Sequence, residues 1–463
     1  MIWNFIKLRQ YLIWNFIRQL MYIPRNIDSE LENWRVSKQR KPILLRGARQ
    51  IGKSAAVRHC ALQFDYFIEL NFDENPRYKR IFEQNLSINE IIELIEATTN
   101  TPLVAGKTLL FLDEIQACVP AISSLRYFYE KSPDLHVIAA GSLLEFVLSE
   151  IPSFGVGRIR SLFMYPLDFE EFLGAFDEKI LLKTLRNASP EKPLSDLLHD
   201  KLKHYFRRFL VVGGMPEVVR NYVQNNDILE TQRVIDDLIV SFESDFAKYK
   251  NRVPVARIRE VFNAVVRQTG TQFTYSYPQA TLTNVQIREA LDLLLRAGLV
   301  HAVTHSAANG LPIGAEINPK KRKWMLFDTG IMQRILGLSI GDLLLEDTLE
   351  VINKGAIAEQ HVALELVKSY SPYQQPQLYY WHRDAKNSQA EIDFLIQKHS
   401  DIIPVEVKAG SRGSMQSMYI FIKEKQSRYG IRFSLENFSS LPFIMVFPLY
   451  AVKNSMHFQV PQP

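Results

Sequence analysis

The sequence is poor in cysteine and contains no long apolar run. Only Cys60 and Cys118 are cysteines among 463 residues, which is too few for a disulfide framework or a four-ligand zinc site. No stretch of about 18 residues is apolar and free of charged side chains, as a membrane-spanning helix requires. These features argue against a small secreted disulfide protein and an integral membrane protein, and we expect a cytoplasmic location.

Charge of one sign is not in large excess either. The chain has 55 Lys and Arg residues against 50 Asp and Glu residues, a formal net charge of +5. This mildly basic balance permits contact with nucleic acid or acidic lipid but does not require it. With 47% apolar and 23% charged residues, the composition is that of a globular protein. A chain of this length is expected to form roughly three domains.

The N-terminal extension, residues 1–21, contains a repeat. Residues 2–7 (IWNFIK) recur as residues 13–18 (IWNFIR), an offset of eleven residues. Because eleven residues make about three helical turns, both copies would lie on one face of a basic amphipathic helix. Such a helix suits a membrane surface. It equally suits packing on the protein, and natural translation from Met21 would remove it, so these alternatives stay open.

The strongest chemical signal is a glycine-rich segment between a strand and a helix. An apolar run at residues 41–46 precedes GARQIGKS at residues 47–54, and helix-forming residues 55–58 follow. The spacing G-x-x-x-x-G-K-S is that of a P-loop, in which backbone N–H groups and a helix N-terminus surround phosphates. It predicts ATP and Mg²⁺, with Lys53 on the β- and γ-phosphates and the Ser54 hydroxyl on the metal. The predicted phosphate-binding residues are Gly47, Ala48, Arg49, Gln50, Ile51, Gly52, Lys53 and Ser54.

Two later strands end in polar residues that such a site needs. The apolar segment TLLFLDE ends in Asp113 and Glu114. We expect Asp113 to hold magnesium together with Ser54, and Glu114 to orient and deprotonate the attacking water. Paired acids at a strand end are common in α/β proteins, but the P-loop upstream favours the functional interpretation. The next apolar strand, LHVIAA, is followed by glycine and Ser142, which predicts Ser142 as a sensor of the γ-phosphate.

Several segments together resemble one protein family. They are residues 46–50 (RGARQ), 112–116 (LDEIQ), 141–142 (GS), 165–172 (YPLDFEEF) and 213–217 (GGMPE). They look like the AAA-type ATPases of bacteria and archaea that carry a C-terminal domain of unknown function, over nearly the whole chain from Tyr22 onward. The resemblance implies an AAA-type core at residues 22–175. It also implies Arg158 as an arginine finger, a role that requires domain closure or a neighbouring subunit, such as a homo-oligomer or a protein partner. The alternative is a solvated loop arginine.

The middle of the chain is predicted to be mainly helical. Residues 176–250 are polar and helix-rich, and we interpret them as a helical lid. In residues 251–345, two helices precede a β hairpin, an order typical of a winged-helix module. A basic run at residues 320–323 lies beside the predicted wing and suggests contact with DNA. Winged helices also bind proteins or serve as spacers, and a short basic run is often a solvated edge.

Residues 346–463 contain a second constellation of acids. A hairpin whose loop is His399-Ser400 would place Asp393 directly opposite Glu406. Two facing carboxylates repel unless a cation lies between them. The pattern D…E-x-K resembles the restriction-endonuclease-like superfamily. That resemblance implies magnesium on Glu359, Asp393 and Glu406, with Lys408 assisting catalysis. The same register also allows a plain ion pair between Glu391 and Lys408, in which Lys408 is structural.

The predicted fold class is α/β. It comprises a P-loop NTPase core with a parallel sheet, a helical lid, a winged-helix module and a C-terminal α/β domain of the restriction-endonuclease-like type. The predicted function is that of an ATP-binding and ATP-hydrolysing AAA-type switch, with Glu114 and Arg158 as catalytic residues. One alternative is an ATP-regulated, magnesium-dependent nuclease that acts on DNA through Asp393, Glu406 and Lys408. Another is a nucleotide-binding interaction module with negligible turnover.

Overall fold

The computed structural model divides the chain into two compact units. It describes residues 22–84, 86–148, 151, 157–249, 253–275, 282–337, 354–383, 390–410 and 414–458. The first unit comprises the described residues up to Tyr165 together with Pro372–Gln374, and the second comprises the others. The N-terminal extension, and with it the predicted membrane contact, lies outside the described residues. No helix in the described part of the chain is long and apolar enough to cross a membrane.

A five-stranded parallel sheet forms the centre of the first unit. Its strands are β1 (Ile43–Arg46), β2 (Tyr66–Asn71), β3 (Thr108–Asp113), β4 (His136–Ala140) and β5 (Arg160–Phe163). They lie in the order β2-β3-β4-β1-β5, and every neighbouring pair is parallel. Each residue of β3 and β4 is buried, which explains their continuous apolar sequences, because a parallel sheet is covered on both faces. The carboxyl end of β1 lies between β4 and β5, a position where α/β sheets bind ligands.

Helices cover this sheet. They are α1 (Asn26–Val36), α2 (Lys53–Ala61), α3 (Arg80–Glu83), α4 (Ile88–Thr99), α5 (Val119–Lys131) and α6 (Leu144–Leu148). One core cluster joins the sheet to α4 and α5 through side chains such as Ile95, Leu110, Ile122 and Phe128. Helix α4 begins at a capping box in which Ser87 receives the N–H of Glu90 and the Glu90 carboxylate receives the N–H of Ser87. Each cap satisfies an N–H group that has no partner within the helix.

The second unit begins with helices. They are α7 (Phe169–Ala175), α8 (Lys179–Arg186), α9 (Asp196–Val212), α10 (Pro216–Asn225) and α11 (Ile228–Asp245). Helix α9 buries one face that includes Phe206 and Phe209, and both rings pack against Phe169 of α7. The helical content predicted for residues 176–250 is therefore present, whereas their role as a lid stays a prediction.

Two helices and a hairpin follow in the predicted order. They are α12 (Val255–Arg267), α13 (Asn284–Arg296), β6 (Val300–Ser306) and β7 (Ile317–Leu326), and α14 (Thr329–Ile335) comes next. Strand β6 pairs in parallel with β8 (Leu378–His382). The hairpin is thus the edge of a larger sheet, and this sheet crosses the domain boundary predicted at residue 346. Residues about 75 positions apart form that pairing, which no local pattern in the sequence reveals.

The C-terminal part completes an eight-stranded mixed sheet. Its remaining elements are α15 (Lys354–Ser369), β9 (Glu391–Lys398), β10 (Asp401–Val407), α16 (Gln416–Lys425), β11 (Gly430–Ser434), β12 (Ser439–Leu441), β13 (Ile444–Pro448) and α17 (Val452–His457). The strand order is β12-β13-β11-β10-β9-β8-β6-β7. The predicted turn at His399-Ser400 joins β9 to β10, and Phe394 pairs with Val405. This register brings Asp393 beside Glu406, as predicted, and the α/β fold class is confirmed.

Candidate functional site

The P-loop, residues 47–54, leaves the carboxyl end of β1 and enters α2. Two of its glycines have positive φ angles, 142° at Gly47 and 95° at Gly52. A Cβ atom at Gly47 would lie 2.2 Å from the Met164 carbonyl oxygen. Only glycine suits a backbone of this shape and closeness. The loop is thus tightly packed at Gly47, and its shape depends on glycine having no side chain.

The ammonium group of Lys53 is held inside this loop. It donates to the carbonyl oxygens of Gly47 at 2.9 Å and of Ala48 at 2.6 Å. Burial lowers the pKa of Lys53 to about 8, because desolvation disfavours its charged form. The structure therefore places this positive charge within the loop, where the sequence predicts the phosphates.

Ser54, the last residue of the P-loop, contacts Asp113 at the end of β3. The Ser54 hydroxyl donates to the Asp113 carboxylate at 2.9 Å. Burial raises the pKa of Asp113 to about 6. The amide of Asn71 also donates to Asp113, at 3.3 Å. The motif search missed Asn71, although it ends β2 and is the register partner of Asp113.

Glu114 is fixed by its backbone and by two polar neighbours. Its φ of 50° lies in the left-handed region, which turns the chain sharply after β3. The Gln116 amide donates to the Glu114 carboxylate at 2.5 Å, and the Ser142 hydroxyl lies 3.5 Å from the same oxygen. A Cβ atom at Gly141 would lie 2.1 Å from the Gln116 amide oxygen. Ser142 therefore lies beside the predicted base, and Gly141 provides the space that Gln116 occupies.

Arg25 is a second residue that the sequence analysis missed. Its guanidinium donates to the Ile51 carbonyl in the P-loop at 2.9 Å and to the Tyr165 carbonyl at 2.7 Å. The Met164 N–H also donates to the carbonyl of Arg46, at 2.9 Å. Since the chain passes from the first unit to the second after Tyr165, these contacts connect the P-loop with the last residues before that passage.

Arg158 lies on the surface of the first unit. Its guanidinium is 2.6 Å from the Glu130 carboxylate at the end of α5, and 43% of its side chain is exposed. The exposure is compatible with a contact to another chain. The arginine-finger role stays a prediction.

The second predicted site contains a lysine that the sequence analysis placed elsewhere. The Lys323 ammonium, on β7, lies 2.8 Å from Glu359, 2.5 Å from Glu391 and 3.9 Å from Asp393. Only 1% of the Lys323 side chain is exposed. Lys323 is therefore not solvated, although it belongs to the basic run at residues 320–323. Contact between the other residues of that run and DNA stays a prediction.

The other residues of this cluster lie on the β9–β10 hairpin. Asp393 accepts the N–H of Val407 at 2.8 Å. Glu406 receives the Lys408 ammonium at 2.5 Å on one oxygen, while its other oxygen is buried and has no hydrogen-bond partner within the described residues. Glu391 and Lys408, which the sequence allows to form an ion pair, each contact another residue instead. Glu391 contacts Lys323, and Lys408 contacts Glu406.

The two sites differ in how well they fit magnesium. At the P-loop, a hydroxyl and a carboxylate converge below a loop shaped for phosphates, and hard oxygen ligands of this kind suit Mg²⁺. At the second cluster, an ammonium already lies among the carboxylates. In the described part of the chain, no group of three or more His, Cys, Asp or Glu residues is arranged to hold a metal ion. The magnesium roles of Glu359, Asp393 and Glu406 and the catalytic role of Lys408 therefore stay predictions.

Three family models match successive parts of the chain. An AAA domain family matches residues 39–173. Two domains of unknown function match residues 203–340 and 354–452, the first known as DUF8612 and the second as DUF4143. The search of curated proteins gives no match. The AAA match contains the P-loop, Asp113, Glu114 and Ser142.

The chain also matches solved structures at low sequence identity. The Orc1 protein of Aeropyrum pernix, determined in complex with DNA, is 14% identical, with coverage of 70% of this chain and 94% of that chain and a TM-score of 0.24. The FIGL-1 AAA domain is 13% identical, with coverage of 56% and 70% and a TM-score of 0.25. A signal-transduction ATPase of Pyrococcus horikoshii with a tetratricopeptide-repeat sensor is 13% identical, with coverage of 76% and 46% and a TM-score of 0.23.

These TM-scores are too low to support an argument about the whole chain, and the assignment rests on the sequence matches. The matched segments account for the sheet that carries the P-loop and for most of the later chain. The chain therefore carries an AAA-type P-loop ATPase domain at residues 39–173, followed by domains of unknown function.

Proposed function

We propose that the P-loop site hydrolyses ATP with Mg²⁺ and that the chain works as a nucleotide-driven switch. The observation that carries this proposal is the 2.9 Å contact between the Ser54 hydroxyl and the Asp113 carboxylate. It joins the start of α2 to the end of β3, next to Glu114. Phosphoryl transfer depends mainly on positioning and electrostatic stabilisation, and these residues supply both.

Each residue has a separate role in this proposal. The loop N–H groups and the Lys53 ammonium bind the phosphates. Ser54 and Asp113 would hold a Mg²⁺ ion, and such an ion would supply positive charge to the phosphate oxygens. Glu114 accepts the proton of the attacking water. Gln116 positions Glu114 through the hydrogen bond at 2.5 Å.

The switch would begin at the P-loop and act through the end of the first unit. Gly47 packs on Met164, while Arg25 links the loop carbonyl of Ile51 to that of Tyr165. A change in the loop on nucleotide binding or release would therefore alter the contacts of Met164 and Tyr165. The chain enters the second unit directly after Tyr165.

An ATP-binding and turnover assay tests the enzymatic part. We expect K53A to lose ATP binding, because the loop then lacks its buried cation, and E114Q to bind ATP but not to hydrolyse it. E74Q, at an exposed glutamate in the same unit, is the matched control and should behave as wild type. Equal turnover by E114Q and E74Q would contradict the proposed base.

Hydrogen exchange tests the switch. In E114Q saturated with ATP, we expect the amides around Met164 and Tyr165 to exchange at rates different from those of the nucleotide-free protein. R25A should remove this difference. Identical exchange with and without ATP in E114Q would rule out this route of communication.

The same assays separate the alternatives. Wild-type protein that binds ATP without measurable turnover would indicate an interaction module. Adding single- or double-stranded DNA tests for a DNA partner, since stimulation of turnover would connect DNA with the nucleotide site. The ammonium within the second carboxylate cluster gives the nuclease alternative less support.

A further inference from the structure

The carboxylate cluster of the second unit is built from several elements around one buried ammonium. Glu359 comes from α15, whereas Glu391 and Asp393 lie on β9 and Lys323 projects from β7. The Lys323 ammonium makes its closest contacts with Glu391 and Glu359, and it lies 5.3 Å from the centre of the Tyr380 ring. An ammonium that is buried to this degree is stable only when opposite charge surrounds it.

Three carboxylates lie around the Lys323 ammonium. Those of Glu391 and Glu359 are 2.5 Å and 2.8 Å away, and that of Asp393 is 3.9 Å away. Burial alone would lower the pKa of Lys323, but these carboxylates outweigh burial and raise the pKa above its usual range.

A buried carboxylate oxygen lies at the edge of this cluster, on Glu406. Its Oε2 atom has no hydrogen-bond partner among the residues that the structure describes, although the other oxygen contacts Lys408. The strand register puts Glu406 next to Asp393. Buried polar atoms nearly always have a partner, so this oxygen can accept a contact that the described residues do not supply.

We propose that Lys323 is the resident cation of this cluster and excludes divalent metal from it, so that loss of its ammonium leaves Glu359, Asp393 and Glu406 as a divalent-cation site. A divalent ion among these carboxylates would lie within a few ångströms of the ammonium, and like charges repel strongly where water is absent. Carboxylate oxygens are the ligands that Mg²⁺ and Mn²⁺ prefer. This inference does not depend on the function proposed for the P-loop.

Manganese titration of the full chain without nucleotide tests the proposal. The variant K323M keeps a long side chain but loses the charge, and K320M removes an exposed lysine from the same strand as a matched control. We expect K323M to bind one additional Mn²⁺ ion, at least about tenfold tighter than any Mn²⁺ at this cluster in wild type or K320M. The double variant K323M/D393N should lose that ion. Folded K323M without an additional Mn²⁺ ion would overturn the proposal.

Thermal melting and a wild-type comparison cover the outcome that K323M folds poorly. Metal that binds only the folded state raises its stability, so Mn²⁺ should raise the Tm of K323M and leave that of K320M unchanged. Independently, D393N in the otherwise unaltered chain should bind as much Mn²⁺ as wild type. A loss of Mn²⁺ binding in D393N alone would show that metal already occupies the cluster and would refute the role of Lys323. ATP turnover plays no part in these measurements.

Discussion

Substituting Gly141 by alanine should slow ATP hydrolysis without weakening ATP binding. The new Cβ atom would lie 2.1 Å from the Gln116 amide oxygen, so the amide must move, and the next contact, Leu144 Cγ, is at 3.0 Å. Gly141 does not have a positive φ, so its backbone accepts alanine. The fold should therefore survive, while the hydrogen bond from Gln116 to Glu114 is lost.

The size of the effect follows from that hydrogen bond. A hydrogen bond to a charged group contributes about 1.5–3 kcal/mol. Because about 1.4 kcal/mol corresponds to tenfold in rate, kcat should fall by about 10-fold to 150-fold if the bond positions Glu114 in the transition state. Lys53, Ser54 and Asp113 are untouched, so the Kd for ATP should stay within about twofold of wild type.

Steady-state kinetics and nucleotide titration measure these two quantities. G174A is a matched control, because a Cβ atom there meets nothing within 4 Å. Q116A should reproduce the loss, and the double variant G141A/Q116A should be no slower than Q116A alone, since both changes remove the same interaction. Additive losses, or a kcat for G141A equal to that of G174A, would refute the positioning role of Gln116.

Three further predictions concern the same unit. N71A should raise the Mg²⁺ concentration needed for half-maximal ATPase rate by about threefold to tenfold, because Asp113 loses a neutral hydrogen-bond donor; an unchanged Mg²⁺ titration would contradict this role. Mg²⁺-dependent ATP binding should weaken as pH falls through about 6, since burial raises the pKa of Asp113 to about 6 and its protonated form binds metal poorly; a flat pH profile in isothermal titration would argue against Asp113 as a ligand. R25A should lower the free energy of unfolding of the first unit by about 2–4 kcal/mol, because the buried carbonyl of Ile51 and the partly buried carbonyl of Tyr165 both lose a charged donor; chemical denaturation measures this loss, with R77A at an exposed site as the control.

The residues of the P-loop site were predictable from local sequence patterns. The P-loop spacing fixes a loop shape through its glycines, and an apolar strand ending in two acids identifies Asp113 and Glu114. Both signals lie within a few consecutive residues, so they are visible without knowledge of the fold. The register of the β9–β10 hairpin was predictable for the same reason, because loop length sets the pairing of adjacent strands.

Contacts between distant parts of the chain were not predictable in this way. Arg25 reaches Tyr165 across 140 positions, and Lys323 reaches Glu359 across 36. Such contacts depend on tertiary packing, and the sequence around a single arginine or lysine does not indicate its distant partner. The parallel pairing of β6 with β8 was not predicted, for a related reason. Local sequence patterns predict each strand, but they do not show which strands pair.

The two acid pairs illustrate why the partners of a carboxylate decide its chemistry. Asp113 ends β3 directly before Glu114, and Asp393 lies on β9 two residues after Glu391; Asp113 is buried and Asp393 is half-buried. Asp113 is bonded to the neutral donors of Ser54 and Asn71, which can share a cation because they bring no charge of their own. Asp393 lies near the full positive charge of Lys323, which neutralises the cluster from within. The two acid pairs look similar as sequence motifs. Their electrostatic surroundings differ, and they favour magnesium and phosphate at the first pair and the Lys323 ammonium at the second.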